Sequence, residues 1–385
     1  MTATATVRPL NGTIMALFGV VAIFAVTQGI TYPMLSVQLE NMGYGADMIG
    51  LSGAMTPLGM LLASPFLPKF LQRVKTAPTL IGAIMLTIAV LGALAVVTNY
   101  YALLAIRLIF GGAVCALYLI GDSGLQKLVP DHARGRFMGF YNAVMVLGYG
   151  AGPMILSYTG SDGFAPLAIS IAIVIVALAP IVALARDIPE IGEQDEPLSF
   201  KANIRFIKLA PAMLLACAAV AFFDHSSSAL LPIYAKAYGL ASEDAVRLVT
   251  VAMVGAMFGQ LLVGWLADRL GISLVMVACA TIVVGGCTAF PLVIDTNAVW
   301  ALTFCWGAAA FGPYTLAMTE LGRRFTGNML VIGNVTIGMI YGLSQTGGSP
   351  AAGFAMDAVG PNGFMMVLGA TFAILALTYA GKALR

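Results

Sequence analysis

Charged side chains are scarce in this chain: Asp, Glu, Lys and Arg together supply 9% of 385 residues, against roughly 25% in soluble domains. So little charge cannot keep a folded surface in water, which excludes a water-soluble enzyme. Histidine is nearly missing, with His132 and His225 far apart. Metal catalysis needs clustered ligands, and neither a His-Glu-x-x-His helix nor a Gly-x-x-x-x-Gly-Lys-Ser/Thr phosphate loop occurs. No enzymatic activity, metal or cofactor is therefore expected. The five cysteines, Cys115, Cys217, Cys279, Cys287 and Cys305, fall in long apolar segments without the short spacing of zinc or redox motifs, and read as small core residues. A net charge of +2 with scattered basic residues offers no stripe for a polyanionic backbone, so nucleic acid is not an expected partner.

Hydrophobic length is what the chain has instead. Apolar residues make up 60% of it, and a spanning helix takes about 20 residues, so there is material for about a dozen spans. Hydropathy separates twelve, near 13–36, 46–67, 78–97, 100–126, 136–158, 164–186, 209–235, 246–266, 272–293, 297–320, 328–354 and 361–381. The first follows a short polar start and lacks a small-residue cleavage site, so it reads as a span and not as a removable signal. Six spans precede and six follow a segment holding Asp187, Glu190, Glu193, Asp195, Glu196, Lys201, Arg205 and Lys208, too densely charged for hydrocarbon. The expected fold is an all-α membrane protein of twelve transmembrane helices in two pseudo-symmetric six-helix bundles, residues 1–186 and 209–385, joined by a cytoplasmic linker, 187–208. With the amino terminus inside, Lys236 and Arg247 fall outside and Arg107 falls within a span, while the other basic residues are cytoplasmic. That bias places both termini in the cytoplasm.

Weak internal repeats agree with two halves. Ser64-Pro-Phe-Leu-Pro68-Lys69 ends the second span where Gly264-Trp-Leu-Ala-Asp268-Arg269 ends the eighth, and Gly148-x-x-x-Gly152-Pro153 is echoed by Gly347-Gly348-Ser-Pro350. Parallel-repeat transporters have this organisation. The run Gly264-Trp-Leu-Ala-Asp268-Arg269-Leu-Gly271 resembles the Gly-x-x-x-Asp-Arg-x-Gly loop motif of the major facilitator superfamily, and the likeness covers nearly the whole chain. The first-half copy departs from it, with Pro68 for the acid and Leu71 for the second glycine. Arg107-x-x-x-Gly111 is similar to that family's arginine motif, and Gly148 to Pro153 to the fifth-helix motif of its proton-driven exporters, without the trailing glycines. The resemblance, nearest to short bacterial members, implies proton coupling at Arg107, a cytoplasmic gate at Asp268 and Arg269, and residence in a bacterial inner membrane.

The residues themselves narrow the chemistry. A charge inside hydrocarbon costs several kcal/mol even on lenient scales, on the order of 2.5–3.5 at a helix centre, so each needs a local reason. Asp224 is the acid nearest mid-span, with Ser227 and Ser228 three and four positions on; a carboxylate balanced between burial and a nearby cation can bind and release a proton. It reads as the proton-coupling group, or else as a packing hydrogen bond. Arg107 shares a helical stripe with Gly111, Cys115, Tyr118 and Asp122, and reads either as partner of an anionic group in the cavity or as half of a fixed ion pair. His225 is about 100° round the helix from Asp224 and reads as a packing histidine; His132 reads as a loop residue. Gln28, Tyr32, Tyr118, Asn142, Ser228, Trp306, Tyr314, Asn334, Tyr341 and Gln345 are candidates for a cavity suited to a moderately polar solute, each equally readable as an interhelical hydrogen-bonding group. The gate candidates are Asp268, Arg269, Lys69, Asp122, Arg134, Arg136, Glu320 and Arg323; for Asp122, pairing with Arg134 or Arg136 is the favoured reading.

The expected function is a secondary active transporter for a small organic solute, working by alternating access with the proton as coupling ion, monomeric in the lipid bilayer. The alternatives are a proton-independent facilitator and a non-transporting receptor; the short termini expected here argue against the receptor.

Overall fold

The computed structural model describes residues 10–129, 134–160, 163–191 and 200–383. Among them are fourteen α-helices and no strand. Twelve are long: α1 (Leu10–Asn41), α2 (Ala46–Ala63), α4 (Thr76–Leu94), α5 (Tyr100–Leu128), α6 (Arg134–Thr159) and α7 (Ala165–Ala183) before the linker, then α9 (Pro211–Ala237), α10 (Ser242–Leu270), α11 (Ile272–Val293), α12 (Ala298–Arg324), α13 (Asn328–Val359) and α14 (Asn362–Ala383) after it. Two are short, α3 (Leu67–Val74) and α8 (Phe200–Leu209). Ten of the long helices are apolar and long enough to cross a membrane. In α6 the apolar part is Ala143–Thr159, and α12 carries Pro313, Glu320 and two terminal arginines within its length. This is an integral membrane protein with the twelve-helix arrangement expected from hydropathy.

Local chemistry sets the helix ends. Asn99 caps α5 by accepting from the Ala102 amide at 3.1 Å. Gly271 turns the chain between α10 and α11 at φ 87°, where a side chain would be strained. The matching turn of the first half is at Lys75, φ 68°, between α3 and α4. The counterpart of Gly271 is thus Lys75, four residues past Leu71, because α3 is inserted after α2.

Small residues bring the helices together, and they do so at matching places in the two halves. Gly59 of α2 lies against Gly111 of α5, as Gly259 of α10 lies against Ala308 of α12. Gly152 meets the Gly29 backbone of α1, and Gly348 meets Phe222 of α9. A Cβ added at any of Gly59, Gly111, Gly152 or Gly259 would fall closer than 3.0 Å to backbone, so glycine permits the close approach that membrane helices need. Gly347, by contrast, has open space around its Cα.

The halves meet chiefly through α2 against α13 and α6 against α10. Several of their polar contacts lie toward the end of the bundle opposite the linker. Lys236 of α9 pairs with Glu40 of α1 at 2.6 Å and donates to Asn41 at 3.1 Å. Asp357, at the end of α13, accepts from the Ala46 and Asp47 amides at 3.1 and 2.8 Å, capping α2. Thr250 donates to the Gly150 carbonyl at 3.0 Å, and Arg247 lies over the Tyr158 ring at 5.7 Å.

Candidate functional site

The polar centre of the molecule is built where α9 and α13 face α1, α5 and α6. Asp224 lies in the middle of α9, half-buried. From α13 the Tyr341 hydroxyl donates to its Oδ2 at 3.2 Å and the Gln345 amide at 3.5 Å. Tyr341 and Gln345 are four apart and so share a helix face, which Asn334 continues two turns toward the linker end, exposed, with its amide on the Leu330 carbonyl at 3.2 Å. Tyr314 of α12 packs edge-on against Tyr341, ring centroids 5.6 Å apart. Three residues chosen separately from sequence, Asp224, Tyr341 and Gln345, are therefore in one cluster.

Arg107 is on the other half, 2% exposed. Its guanidinium lies over the Tyr32 ring, 5.0 Å from the centroid, and Tyr32 accepts from Gln28 at 3.3 Å. Among the described residues no carboxylate pairs with Arg107, and its Nε and Nη2 have no hydrogen-bond partner. The fixed ion pair weighed from sequence is not formed. The Gln28 Oε1 is likewise unpaired and buried. Tyr32 also packs edge-on against His225, centroids 4.5 Å apart; Tyr149 of α6 packs edge-on against Phe24, centroids 6.1 Å apart. Arg107 and His225, the chain neighbour of Asp224, thus share the Tyr32 ring.

His225 is a packing residue, 3% exposed, with Nε2 2.9 Å from the Gly53 carbonyl of α2. Ser349 of α13 donates to the His225 carbonyl at 3.3 Å, so this histidine ties α2, α9 and α13 together. Ser228 is buried on α9, and no bond joins it to Asp224. Trp306 does not reach the cluster. It is fully buried, 4.4 Å from Phe223 and 5.0 Å from Phe290 by ring centroids, inside the second bundle. Tyr118 is 41% exposed and its ring lies tilted against Phe24, centroids 5.3 Å apart.

At the linker end the gate candidates separate. Asp268 pairs with Arg323 at 2.7 Å, linking α10 to α12 of the same half, while Arg269 lies over Trp265, 3.9 Å from its ring centroid. Asp122 accepts from Gln126 at 2.8 Å. Glu320 accepts from Tyr379 at 3.0 Å and is 3.7 Å from Arg324. Lys69 is exposed on α3. The side chains of Arg134, Arg136 and Asn142, and His132 as a whole, lie outside the described residues. Two members of the centre, Tyr149 and the His225 bridge to Gly53, were not singled out as site residues from sequence.

The Asp268 pair is exposed on both sides, so its direct contribution to stability is small, about 0–1 kcal/mol. Asp268→Asn should leave the melting temperature nearly unchanged. If the motif's gating role holds, the same variant raises cysteine labelling at the linker end and impairs transport; unchanged labelling on both faces with intact transport would refute that role.

Residues 17–336 match the model of the Major Facilitator Superfamily. The chain belongs to this family. Among curated relatives, the uncharacterized MFS-type transporter YfkF of Bacillus subtilis (strain 168) is 24% identical over 349 residues, 88% of this chain and 87% of that one. The uncharacterized MFS-type transporter YcaD of Salmonella arizonae is 23% identical over 286 residues, 74% and 73% of the two. Among solved structures, the nucleoside transporter NupG superposes with a TM-score of 0.76 at 12% identity, covering 96% of this chain and 98% of that one. A D-xylose-proton symporter superposes with a TM-score of 0.69 at 14% identity, over 95% and 96%. A bacterial homolog of the human lysosomal transporter Spinster, solved inward-facing and unoccupied, gives 0.71 at 14%, over 96% and 95%. At such identities the structures establish the fold, and family and relatives together make this chain a transporter.

Proposed function

We propose that this transporter is a monomeric secondary carrier for a small, moderately polar organic solute, coupled to protons through Asp224 and resident in a bacterial plasma membrane. The supporting observation is the Asp224 cluster: a carboxylate at the centre of α9, held by Tyr341 and Gln345 of α13, beside which the other half carries a buried arginine over the Tyr32 ring with two unpaired nitrogens. Protonation would remove the charge those donors hold, and so change the balance between the halves. A solute bearing a carbonyl, carboxylate or phosphate oxygen would satisfy the free guanidinium nitrogens.

Basic residues gather at the linker end, which supports a cytoplasmic position for that end and for both termini. The contacts of Lys236, Asp357 and Thr250 between the halves would then lie toward the outer side. The exposure of Tyr118 and Asn334 is consistent with a cavity open to the cytoplasm.

The reading is tested in proteoliposomes containing a pH-sensitive dye. Uridine and D-xylose are the first probes, chosen from the classes carried by the structural neighbours; others follow from a thermal-stabilisation screen. Coupling predicts solute-dependent proton movement, whereas a solute that exchanges without moving protons identifies a facilitator. Arg107→Lys keeps the charge but loses the planar fork. Where the solute offers an oxyanion, this change should weaken binding roughly tenfold or more, read as the shift in half-saturating solute in the thermal assay. Unchanged affinity would exclude Arg107 from solute contact.

A further inference from the structure

The short helix α8 has three distinct faces. Phe206, fully buried, and Asn203, 7% exposed, point into the second bundle; the Asn203 amide lies 3.4 Å from the Met339 sulfur and its oxygen accepts from Thr336 at 3.3 Å. Ile204 and Ile207, each 40% exposed, form an uncovered apolar edge. Arg205 and Lys208 form an exposed cationic edge, and among the described residues neither has an acidic partner. Residues at 204 and 207, and at 205 and 208, are three apart and so neighbours on the helix surface.

The cationic edge borders a cleft of 540 Å³ lined by Arg205, Lys208, Leu209, Phe325 and Met329. Arg324, the last residue of α12, anchors the end of α8 by donating to the Leu209 carbonyl at 3.2 Å and lies over the Phe325 ring at 5.3 Å. The cleft is therefore basic on one wall and apolar on the other. It sits at the end of the bundle where α12 ends at Arg324 and α13, long and apolar enough to cross a membrane, begins at Asn328, so that in a bilayer it would lie near the lipid headgroups.

We propose that this cleft binds the headgroup of an anionic phospholipid, with the phosphodiester on Arg205 and Lys208 and the upper acyl chains against Ile204, Ile207, Leu209 and Phe325. A phosphodiester suits the site because two cations three residues apart can address its oxygens together, and juxtamembrane Lys and Arg each add attraction to anionic lipid. The isoleucines distinguish a lipid from a soluble phosphate. An amphipathic helix without a lipid partner would leave that apolar edge against water or headgroups at a cost.

The test uses the full-length protein in detergent, with native mass spectrometry and thermal shift. The probes are phosphatidylglycerol, phosphatidylcholine, glycerol-3-phosphate and inorganic phosphate. Retained adducts and stabilisation are expected with phosphatidylglycerol and not with phosphatidylcholine. The double variant Arg205→Gln/Lys208→Gln should weaken phosphatidylglycerol binding roughly 25-fold, about fivefold per charge. Both residues are exposed, so its melting temperature in phosphatidylcholine should match wild type; a variant that fails this control is replaced by Arg205→Lys/Lys208→Arg, which should keep binding. Ile204→Ser/Ile207→Ser should weaken phosphatidylglycerol binding while leaving any phosphate binding unchanged. Equal phosphatidylglycerol binding by wild type and the Gln variant overturns the proposal, as does binding of glycerol-3-phosphate or inorganic phosphate as tight as that of the lipid.

Discussion

Asp224→Asn should abolish accumulation driven by a pH gradient while sparing exchange of solute. The amide fills the space of the carboxyl group and can still accept from Tyr341 and Gln345, which hold Oδ2 at 3.2 and 3.5 Å. The binding face therefore survives, and only the proton site is lost. For one proton per solute, a gradient of one pH unit supports an accumulation ratio of about tenfold at most; the variant ratio should fall to about one. Counterflow of labelled solute in the same vesicles separates this outcome from misfolding. A variant that still accumulates solute several-fold would remove Asp224 from the coupling path.

The second large effect is expected at the contact between the halves away from the linker, the outer end on the proposed orientation. A Cβ at Gly353 of α13 would fall on the Ala46 carbonyl, and one at Gly50 of α2 on the Ser349 carbonyl, both well inside the 3.0 Å that real Cβ contacts respect. Backbone cannot turn away as a flexible side chain can, so the closed outer face must separate. Overpacking of this kind costs about 1–3 kcal/mol, which corresponds to a shift in population of roughly 5- to 150-fold toward the state in which the outer end is apart. The Asp357 cap on α2 and the Lys236 pair with Glu40 would be stretched in the same step. Gly353→Ala should raise labelling of an outer-face cysteine and reduce labelling at the linker end. Wild-type labelling at both ends would mean that α2 and α13 accommodate the methyl group without moving.

Sequence periodicity and charge carried much of the fold. The density of charge between Arg186 and Lys208 marked the break between six helices and six, since such a segment has no place in hydrocarbon. It did not reveal α8, because Phe200 to Leu209 acquires its meaning from the surface of α13, where Asn203 and Phe206 dock. Asp224 was legible as an acid in an apolar run. Its partners were legible only as polar residues of another helix, since the packing of α9 on α13 decides that Tyr341 and Gln345 meet it. Trp306 shows the opposite case: an aromatic with a polar nitrogen reads as a cavity residue, yet the face it shares with Thr303 and Ala310 is the buried one. The outer latch of Glu40, Lys236 and Asp357 was missed because each residue lies at a helix end, where charge is ordinary. Gly45 just before α2 and Gly50 and Gly53 within it were the available signal, and they bear on contact with α13 and α9 only once the halves are placed together.

The central claim, that the halves rock against each other under control of the Asp224 proton, is tested most directly by distances between spin labels in a cysteine-free background. One pair, Val96→Cys with Asp295→Cys, reports on the outer end, and another, Phe66→Cys with Gly322→Cys, on the linker end; each of the four positions is exposed. The account predicts that lowering the pH shifts the two wild-type distributions in opposite senses, one end closing as the other opens. It also predicts that Asp224→Asn holds both at the low-pH distribution across the whole range. A variant whose distances follow pH as wild type does would contradict it.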